Sequence, residues 1–523
     1  MRRLSSRTRI RCRITQLAVG ATAAALGGCA SFGDMATTPL ACEQMVGLTV
    51  PASAIGLPTT GAVVTAAVVV PAGGTAPKTF GEYCRVSAEI APIDPAAPKI
   101  KMQIALPGLW NRKAMMLGGG GYDGTVPNVA GNVSAGPADQ PDPIGRGYAV
   151  FGSDSGHAGA SNQGAFAVND EALRNFAYEA LKKTRDTAVH LIRKRYGAAP
   201  QRSYFAGGST GGREALNMTQ KWPRDFDGVI ALYPAYNAAS LNLQFGRMTR
   251  ARAAPGAYPN LLKRKALYDA AMQACDGLDG VRDGLVSNQP ACNTTFDPAT
   301  AMLDGQPLRC AAGADTGDTC LSDAQIAAMK VLDTPIFFNG MLANGDTGYP
   351  GFNVWGTDFG RPGTGVQAIV TYLGLNTLAP TFPMPAPPAA GTAGVPYGSA
   401  FWDQWIKYFV TRDPNFNSLT IDPQNLGVWQ ARISELTGVQ DATKVDLTDF
   451  ERRGGKILMA HGTSDQLVST RATAQYYHRV RGAMGEARTA GFLRYYEIPG
   501  YNHAVSTVFN AAWDSISTLE NWV

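Results

Sequence analysis

The feature that most constrains this fold is a serine set between glycines at the junction of a predicted strand and a predicted helix. The strand covers residues 202–205, and the helix covers 214–221. Between them the chain reads Gly207-x-Ser209-x-Gly211. This is the pattern of a nucleophile elbow, a sharp turn that lifts the serine hydroxyl above the sheet. The pattern also arises by chance in glycine-rich chains, so the flanking strand and helix are what support the interpretation.

The rest of the chain predicts strands that alternate with helices. A long helix is expected over 169–195 and a final one near 511–522. Strands are expected at 62–70, 99–106, 113–117, 148–151, 228–233, 456–460 and 492–498. This alternation is typical of an α/β fold with a mostly parallel central sheet covered on both faces.

Composition fits a large globular protein. Apolar residues make up 45% of the 523 residues and charged residues 17%, against about 25% charged in an average protein. The net charge of +5 includes six arginines and no acid within residues 1–28, so the remainder carries 5 − 6 = −1. Nucleic acids bind dense Lys/Arg surfaces, and we therefore expect no nucleic-acid partner.

The N-terminus is typical of an export signal. A basic stretch is followed by the apolar residues 17–26 and then by small residues, which predicts a signal peptide over 1–28. Ten apolar residues span about 15 Å of helix, too little to cross a bilayer. The sequence Leu26-Gly27-Gly28-Cys29 is similar to a bacterial lipobox and predicts lipidation at Cys29, with ordinary cleavage nearby as the alternative. Either way we expect a periplasmic, outer-membrane-anchored or extracellular protein.

Six cysteines remain after the signal and Cys29, and they allow fifteen disulfide connectivities. Proximity in the sequence favours the pairs Cys42–Cys84, Cys275–Cys292 and Cys310–Cys320. Such bridges are typical of an oxidising compartment. The alternative is a set of buried free thiols.

A serine nucleophile needs a base to take its proton and an acid to orient that base. His503 directly follows the predicted strand 492–498, and Asp465 follows the predicted strand 456–460. The order Ser209, Asp465, His503 is the order found in α/β-hydrolases. The other histidines are expected to be structural, His157 and His461 in loops and His190 and His478 on helices.

The tetrahedral intermediate of acyl transfer needs N–H donors for its oxyanion. One is expected from Thr210, which follows the nucleophile. The other is expected from the four glycines at 118–121, with Gly121 chosen and Gly119 and Gly120 nearly equivalent. The alternative is a flexible turn that binds nothing.

The spacing between Ser209 and Asp465 predicts an inserted lid, because two βα units of about 30–40 residues each would suffice to connect them. We expect the first part of the core at 29–235, the lid at 236–446 and the second part of the core at 447–523. The lid is rich in aromatic residues. These could wall an acyl pocket or simply pack the core of the lid.

The lid also contains an aspartate-rich loop, residues 275–285. Asp276, Asp279 and Asp283 are separated by glycines, and the carbonyls of Val281 and Leu285 lie among them. Six or more such oxygens suit calcium. A solvated Asp-Gly turn explains the same residues equally well.

Together these motifs resemble the tannase/feruloyl esterase family, which includes a hydrolase of mono(2-hydroxyethyl) terephthalate. The resemblance rests on residues 207–213, on the aspartate-rich loop, on His461-Gly462-Thr463-Ser464-Asp465 and on Pro499-Gly500-Tyr501-Asn502-His503. It implies an α/β-hydrolase fold with a large lid and a Ser-Asp-His triad. It also implies a structural calcium held by Asp276, Asp279, Val281, Asp283 and Leu285.

The chain departs from the family in one respect. Members usually carry cysteines immediately before the serine and immediately after the histidine, joined in a disulfide. Here those positions are Gly208 and Ala504. The triad itself is intact, but the sequence offers no such disulfide to hold Ser209 rigidly relative to His503.

The expected function is an exported serine esterase that cleaves small aromatic esters of the hydroxycinnamate or gallate type through an acyl-enzyme. Hydrolysis of a terephthalate monoester is the nearest alternative. It would need a lid cation for the free carboxylate, and the candidates are Arg361, Lys407 and Arg412. An alternative of another class is a surface lipoprotein that binds aromatic ligands without catalysis.

Overall fold

The computed structural model describes residues 39–523. The predicted signal peptide, residues 1–28, and the predicted lipidation site Cys29 lie outside the described residues. Among residues 39–523, no helix has both the length and the apolar character needed to span a bilayer.

A ten-stranded sheet forms the centre of the molecule, in the order β1-β2-β3-β4-β6-β5-β7-β8-β9-β10. Its strands are β1 (Thr49–Val50), β2 (Gly61–Val70), β3 (Tyr83–Ala91), β4 (Ile100–Pro107), β5 (Lys113–Leu117), β6 (Ala149–Ser153), β7 (Arg202–Gly208), β8 (Gly228–Leu232), β9 (Lys456–Gly462) and β10 (Leu493–Ile498).

The sheet has two halves of different character. From β6 to β10 every neighbouring pair is parallel. The strands β5 to β9 are the largely apolar, buried runs that the sequence predicts, whereas β10, at the end of the sheet, is also predicted but is only partly buried. From β1 to β4 the pairing is antiparallel, and β4 joins β6 antiparallel as well. The sequence interpretation missed β3, although its burial alternates along the strand as a half-exposed strand requires. The predicted α/β class is confirmed.

Helices cover both faces of the parallel half. Within residues 39–523 the α-helices are α1 (Asp170–Arg174), α2 (Ala180–Tyr196), α3 (Thr210–Lys221), α4 (Ala238–Ala253), α5 (Leu261–Cys275), α6 (Gln289–Thr295), α7 (Asp323–Asp333), α8 (Val366–Leu373), α9 (Tyr397–Gln404), α10 (Gln430–Gln440), α11 (Thr448–Arg452), α12 (Thr470–Met484), α13 (Glu486–Phe492) and α14 (Ser515–Trp522).

The long helix predicted over 169–195 is interrupted once. The Asn169 side chain caps α1 by accepting a hydrogen bond from the Ala172 N–H, and a π-helical turn, Asn175–Glu179, separates α1 from α2. Gly197 then ends α2 in the left-handed conformation, with φ of 72°, which glycine adopts without a steric penalty.

The chain between β8 and β9 carries α4 to α11, the stretch in which the sequence predicts the lid. Its core is not separate from that of the sheet. The buried apolar cluster that contains Phe205 of β7 also contains Trp402 and Trp405. The lid is therefore packed onto the sheet, and its exact boundaries at 236 and 446 stay a prediction.

The three predicted disulfides are confirmed. Cys42 pairs with Cys84, Cys275 with Cys292, and Cys310 with Cys320. The second bridge lies at the start of the aspartate-rich loop.

Candidate active site

Ser209 lies on a sharp turn between β7 and α3. Its backbone has φ of 59° and ψ of −122°, a strained conformation for a residue with a side chain. A Cβ atom at Gly207 would lie 2.5 Å from the carbonyl carbon of Gly211, so the turn can close only with glycine at this position. The Ser209 N–H donates to the Leu232 carbonyl at 3.0 Å. The local sequence thus builds the predicted elbow, with Ser209 half-buried at the start of α3.

Asp465 and His503 are in direct contact. Asp465 follows β9 and His503 follows β10, and the His503 Nδ1 to Asp465 Oδ2 distance is 2.8 Å. The other oxygen, Asp465 Oδ1, accepts the N–H groups of Leu467 and Val468 at 2.8 Å each. Because a carboxylate only accepts, Nδ1 carries the hydrogen, and Nε2 is left free to take a proton.

The environment keeps Asp465 ionised. Burial by itself would raise the pKa of Asp465, but the charge of His503 and the hydrogen bonds of His461 and His503 hold that pKa well below its ordinary value. A fully buried carboxylate is costly unless it is paired and hydrogen-bonded. Here the pairing is with the group that a triad acid must orient.

His461 is a member of this network that the sequence interpretation assigned to a structural loop. It lies within β9, and its Nε2 is 3.0 Å from Asp465 Oδ2 and 3.1 Å from the Val468 carbonyl. Both neighbours are acceptors, so Nε2 donates, while Nδ1 pairs with the Thr473 hydroxyl at 2.9 Å. The signal available in the sequence was its position four residues before Asp465, across the turn that follows the strand.

Ser209 is connected to this pair through the packing of a third residue and not through a hydrogen bond. Within residues 39–523 the Ser209 hydroxyl makes no hydrogen bond. Hydrogen bonds between nucleophile and base are often long before substrate binds. The side chain of Tyr233 packs against both His503 and the serine turn. Its ring lies against Gly208, and the distance between the ring centroids of Tyr233 and His503 is 4.7 Å.

The glycine loop at 118–121 is held against the start of α3. The Thr210 hydroxyl donates to the Gly121 carbonyl at 2.6 Å, and the Gly211 N–H donates to the Gly119 carbonyl at 3.2 Å. The Gly119 N–H is already bound to Glu214 Oε2 at 2.9 Å, so it is not free for an oxyanion. Of the predicted donors in the described chain, Thr210, Gly120 and Gly121 keep N–H groups without an acceptor.

Two buried carboxyl groups support this loop. Glu214 accepts from the Gly119 N–H, and the Asp123 carboxyl group lies so close to Gly119 that a Cβ there would be 2.0 Å from Asp123 Oδ1. Burial, together with the charge of Glu214, raises the pKa of Asp123 well above its ordinary value, and burial also raises the pKa of Glu214. The Arg213 charge opposes both shifts, and the closeness of the two carboxyl groups makes ionisation of both together unfavourable.

Aromatic residues of the lid meet the glycine loop. Phe401 of α9 stacks on Tyr122 with 3.7 Å between ring centroids, and the Tyr122 hydroxyl donates to the Phe401 carbonyl at 2.9 Å. Tyr397 stacks on Phe401 in turn. His157, predicted to be structural, is buried in the same cluster with its ring stacked on Phe166 at 3.6 Å.

The aspartate-rich loop is exposed and bonded mainly to itself. Asp276 Oδ1 accepts from the N–H groups of Asp283 and Gly284, Asp279 Oδ1 from Val281, and Asp283 Oδ1 from Leu285. Among residues 39–523 no three His, Cys, Asp or Glu side chains gather into a metal-binding group. Each of the three carboxylates nevertheless keeps a second oxygen free, and hard oxygen donors of this kind are what calcium prefers.

The three lid cations considered for a substrate carboxylate are each paired with an aspartate. Arg361 Nε is 2.9 Å from Asp358 Oδ2, with its guanidinium 3.8 Å from the centre of the Tyr268 ring. Lys407 Nζ is 2.7 Å from Asp403 Oδ2, and Arg412 pairs with Asp170. In this structure all three already have a counter-charge.

The sequence profile of the family described as "Tannase and feruloyl esterase" matches residues 84–523. The chain belongs to the tannase and feruloyl esterase family. As a tannase-family member it is a carboxylic ester hydrolase, and its substrates are small-molecule esters.

Curated relatives agree with this assignment. An uncharacterized esterase of Agrobacterium fabrum is 37% identical over 491 residues, covering 92% of this chain and 84% of the relative. The mono(2-hydroxyethyl) terephthalate hydrolase of Piscinibacter sakaiensis is 31% identical over 484 residues, covering 84% of this chain and 76% of the relative.

A solved structure establishes that the tannase-family fold extends over most of the chain. The crystal structure of feruloyl esterase B from Aspergillus oryzae aligns with a TM-score of 0.67 at 24% identity, covering 89% of this chain and 83% of that one. The largely parallel central sheet and the helices that cover it are therefore those of an α/β-hydrolase-like fold.

Proposed function

We propose that this esterase cleaves esters of aromatic acids through an acyl-enzyme formed on Ser209. The observation that carries the proposal is the contact of 2.8 Å between His503 Nδ1 and Asp465 Oδ2, next to a serine on a nucleophile elbow. An oriented imidazole with a free Nε2 is the base that a serine nucleophile needs.

In the first half-reaction the Ser209 oxygen attacks the ester carbonyl carbon while its proton passes to His503 Nε2. The N–H groups of Thr210 and Gly121 stabilise the resulting oxyanion. The intermediate then breaks its bond to the alcohol oxygen, which takes the proton from Nε2. In the second half-reaction water attacks the acyl-enzyme, His503 takes the water proton, and Ser209 leaves with that proton as the acid is released.

The aromatic preference is supported by Phe401 and Tyr397 of the lid, which stack beside the glycine loop that supplies the oxyanion donor. Flat rings of this kind suit an aromatic acyl group. Neutral esters are favoured over a terephthalate monoester, because Arg361, Lys407 and Arg412 are already paired with aspartates. The 31% identity to a mono(2-hydroxyethyl) terephthalate hydrolase keeps that monoester as the second candidate.

Two further parts of the proposal concern the location of the protein and its metal. We propose that the chain is exported, because the mature cysteines form three disulfides. The lipobox-like sequence that ends at Cys29 supports lipidation there, with ordinary cleavage nearby as the alternative. We also propose a structural calcium on the aspartate-rich loop. Asp276, Asp279 and Asp283 would supply carboxylate oxygens, Val281 and Leu285 would supply carbonyls, and the ion would stiffen the loop.

The test combines a fluorophosphonate probe with a substrate panel of methyl ferulate, methyl gallate, chlorogenate and mono(2-hydroxyethyl) terephthalate. We expect the wild type to be labelled and to hydrolyse the neutral esters faster than the terephthalate monoester, and Ser209→Ala to do neither. Turnover retained by Ser209→Ala would refute the mechanism. A wild type that binds these esters without labelling or turnover would indicate the non-catalytic binding protein.

A further inference from the structure

Tyr233 occupies an unusual position beside the catalytic groups. It is the first residue after β8, and its backbone has φ of 33°, in the left-handed region that favours glycine. Its N–H donates to the Ala460 carbonyl of β9 at 2.7 Å, one residue before His461. The side chain is buried, with 5% of its surface exposed. Strained conformations of this kind persist where the surroundings hold them, and they are concentrated at functional sites.

The Tyr233 ring touches the catalytic base on one side. It meets the His503 ring edge to face, with 4.7 Å between centroids and 61° between planes. It also faces His461 at 6.4 Å. These are favourable distances for aromatic pairs. The ring thus adds a packing contact to the hydrogen bond by which Asp465 holds the His503 imidazole.

The hydroxyl end of the ring touches the nucleophile elbow. A Cβ atom at Gly208 would lie 2.4 Å from the Tyr233 hydroxyl oxygen and 2.5 Å from two ring carbons. These distances are too short for any side chain, so the ring fills the space that a residue at 208 would need. Gly208 immediately precedes Ser209, and the ring therefore spans the gap between the element that carries the nucleophile and the loop that carries the base.

We propose that Tyr233 is a positioning residue for the ester hydrolysis, fixing the His503 imidazole relative to the Ser209 elbow by packing between them. The role rests on the proposed function, since it concerns the same serine and histidine. It explains how the His503 loop can keep its position relative to the Ser209 turn, although Gly208 and Ala504 provide no disulfide between them. It also explains why a tyrosine occupies position 233, where the backbone conformation favours glycine.

The first test compares three variants. Tyr233→Leu keeps buried apolar bulk but removes the ring, Tyr233→Phe keeps the ring, and Tyr148→Leu is the matched control. Tyr148 is also a buried tyrosine, but it immediately precedes β6, at the amino ends of the parallel strands, whereas Ser209, Asp465 and His503 follow the carboxyl ends. For each variant, end-point labelling with a fluorophosphonate counts the competent sites, kcat per labelled site and KM are measured on methyl ferulate, and the thermal midpoint is recorded.

A small misplacement of a catalytic group costs up to about a hundredfold in rate. We therefore expect kcat per labelled site to fall at least about tenfold in Tyr233→Leu with little change in KM. Tyr233→Phe should restore most of that loss. Tyr148→Leu should lower the thermal midpoint and leave kcat per labelled site unchanged. A purely structural tyrosine at 233 would instead behave like Tyr148, and that result would overturn the proposal.

The second test is a double-mutant cycle, which remains informative if Tyr233→Leu is poorly stable. Gly208→Ala should lower kcat strongly in the wild type, because its methyl group would collide with the ring. The same change should cost several-fold less in the Tyr233→Leu background. Equal costs in the two backgrounds would overturn the proposal.

The two hypotheses fail in different ways. If the wild type is labelled and active while Tyr233→Leu keeps full kcat per labelled site, only the positioning role is refuted. If the wild type is not labelled at all, the proposed serine esterase is refuted, and the role of Tyr233 is refuted with it.

Discussion

The edge of the sheet that carries the proposed catalytic residues and the aspartate-rich loop are organised in opposite ways. At the edge, Asp465 is fully buried and receives four hydrogen bonds, two from histidine rings and two from backbone N–H groups. In the loop, Asp279 and Asp283 are exposed and Asp276 is half-buried, and the three carboxylates accept only from N–H groups of the loop itself. Both regions carry sequence motifs of similar clarity.

The difference shows what each site needs before it can work. A catalytic carboxylate must be held in place before substrate arrives, because a group that is already oriented lowers the activation free energy of the reaction. A cation can instead organise flexible oxygen ligands around itself. We therefore expect substitutions at the edge to affect the rate and substitutions in the loop to affect stability.

The largest expected effect is that of Asp465→Asn. An amide can leave the imidazole in the wrong tautomer, and we expect kcat to fall by about 10⁴-fold, the size of the loss known for this change in a serine protease triad. The fold should persist, since the side-chain shape is kept. Steady-state kinetics with circular dichroism check both statements. A loss of less than about tenfold would mean that the edge is not organised as a triad.

A second prediction concerns the acid stability of the buried region. Burial lowers the pKa of His157 from 6.5 to about 4. The unfolded chain therefore binds a proton that the folded chain does not, so the stability due to a neutral His157 is present above pH 6.5 and is lost as the pH falls toward 4. The loss is about 3 kcal/mol.

His157→Phe should remove this part of the pH dependence, because phenylalanine can still stack on Phe166. Urea unfolding at several pH values between 4 and 7 measures it, with His478→Phe as the exposed control. Parallel curves for the wild type and His157→Phe would contradict the prediction.

A third and smaller effect is expected at Glu214, which fixes the glycine loop through the Gly119 N–H. Glu214→Ala should lower kcat by about tenfold to a hundredfold, a part of the 10²–10³ that a lost oxyanion donor costs. Glu214→Gln keeps an acceptor oxygen for Gly119, and its kcat should stay close to that of the wild type. If the two variants are equally impaired, then the charge at this position matters rather than the hydrogen bond.

The smallest effect on catalysis is expected in the aspartate-rich loop. Calcium at a hundred times its Kd would stabilise the fold by about 2.7 kcal/mol. The thermal midpoint of the wild type should therefore rise with calcium, and that of Asp279→Asn/Asp283→Asn should not. The kcat of both proteins should be the same. Leu285 packs against Gly500, three residues before His503. A fall in kcat after calcium removal would therefore mean that the loop also helps to position His503, contrary to this prediction.

The sequence was a good guide to most strands of the sheet and to the placing of Ser209, Asp465 and His503 after three of them. Most of the parallel strands are apolar, buried runs. Ser209 directly follows β7, and Asp465 and His503 lie in the turns that follow β9 and β10. Features that depend on partners from distant segments could not be predicted. The Gly119 N–H is taken by Glu214 of α3, and His461 and His503 share one oxygen of Asp465. Likewise, Tyr233 looked like the end of a buried strand, since nothing local indicates a contact with Gly208 and His503.

All three disulfides join cysteines that are close in sequence, 42, 17 and 10 residues apart. Within residues 39–523 none of them involves the loops that carry Ser209, Asp465 or His503. A reducing environment would therefore loosen the N-terminal strands and the lid without cutting any link at the catalytic edge. Reduced protein that remains folded should consequently keep its kcat, with a lower thermal midpoint than oxidised material.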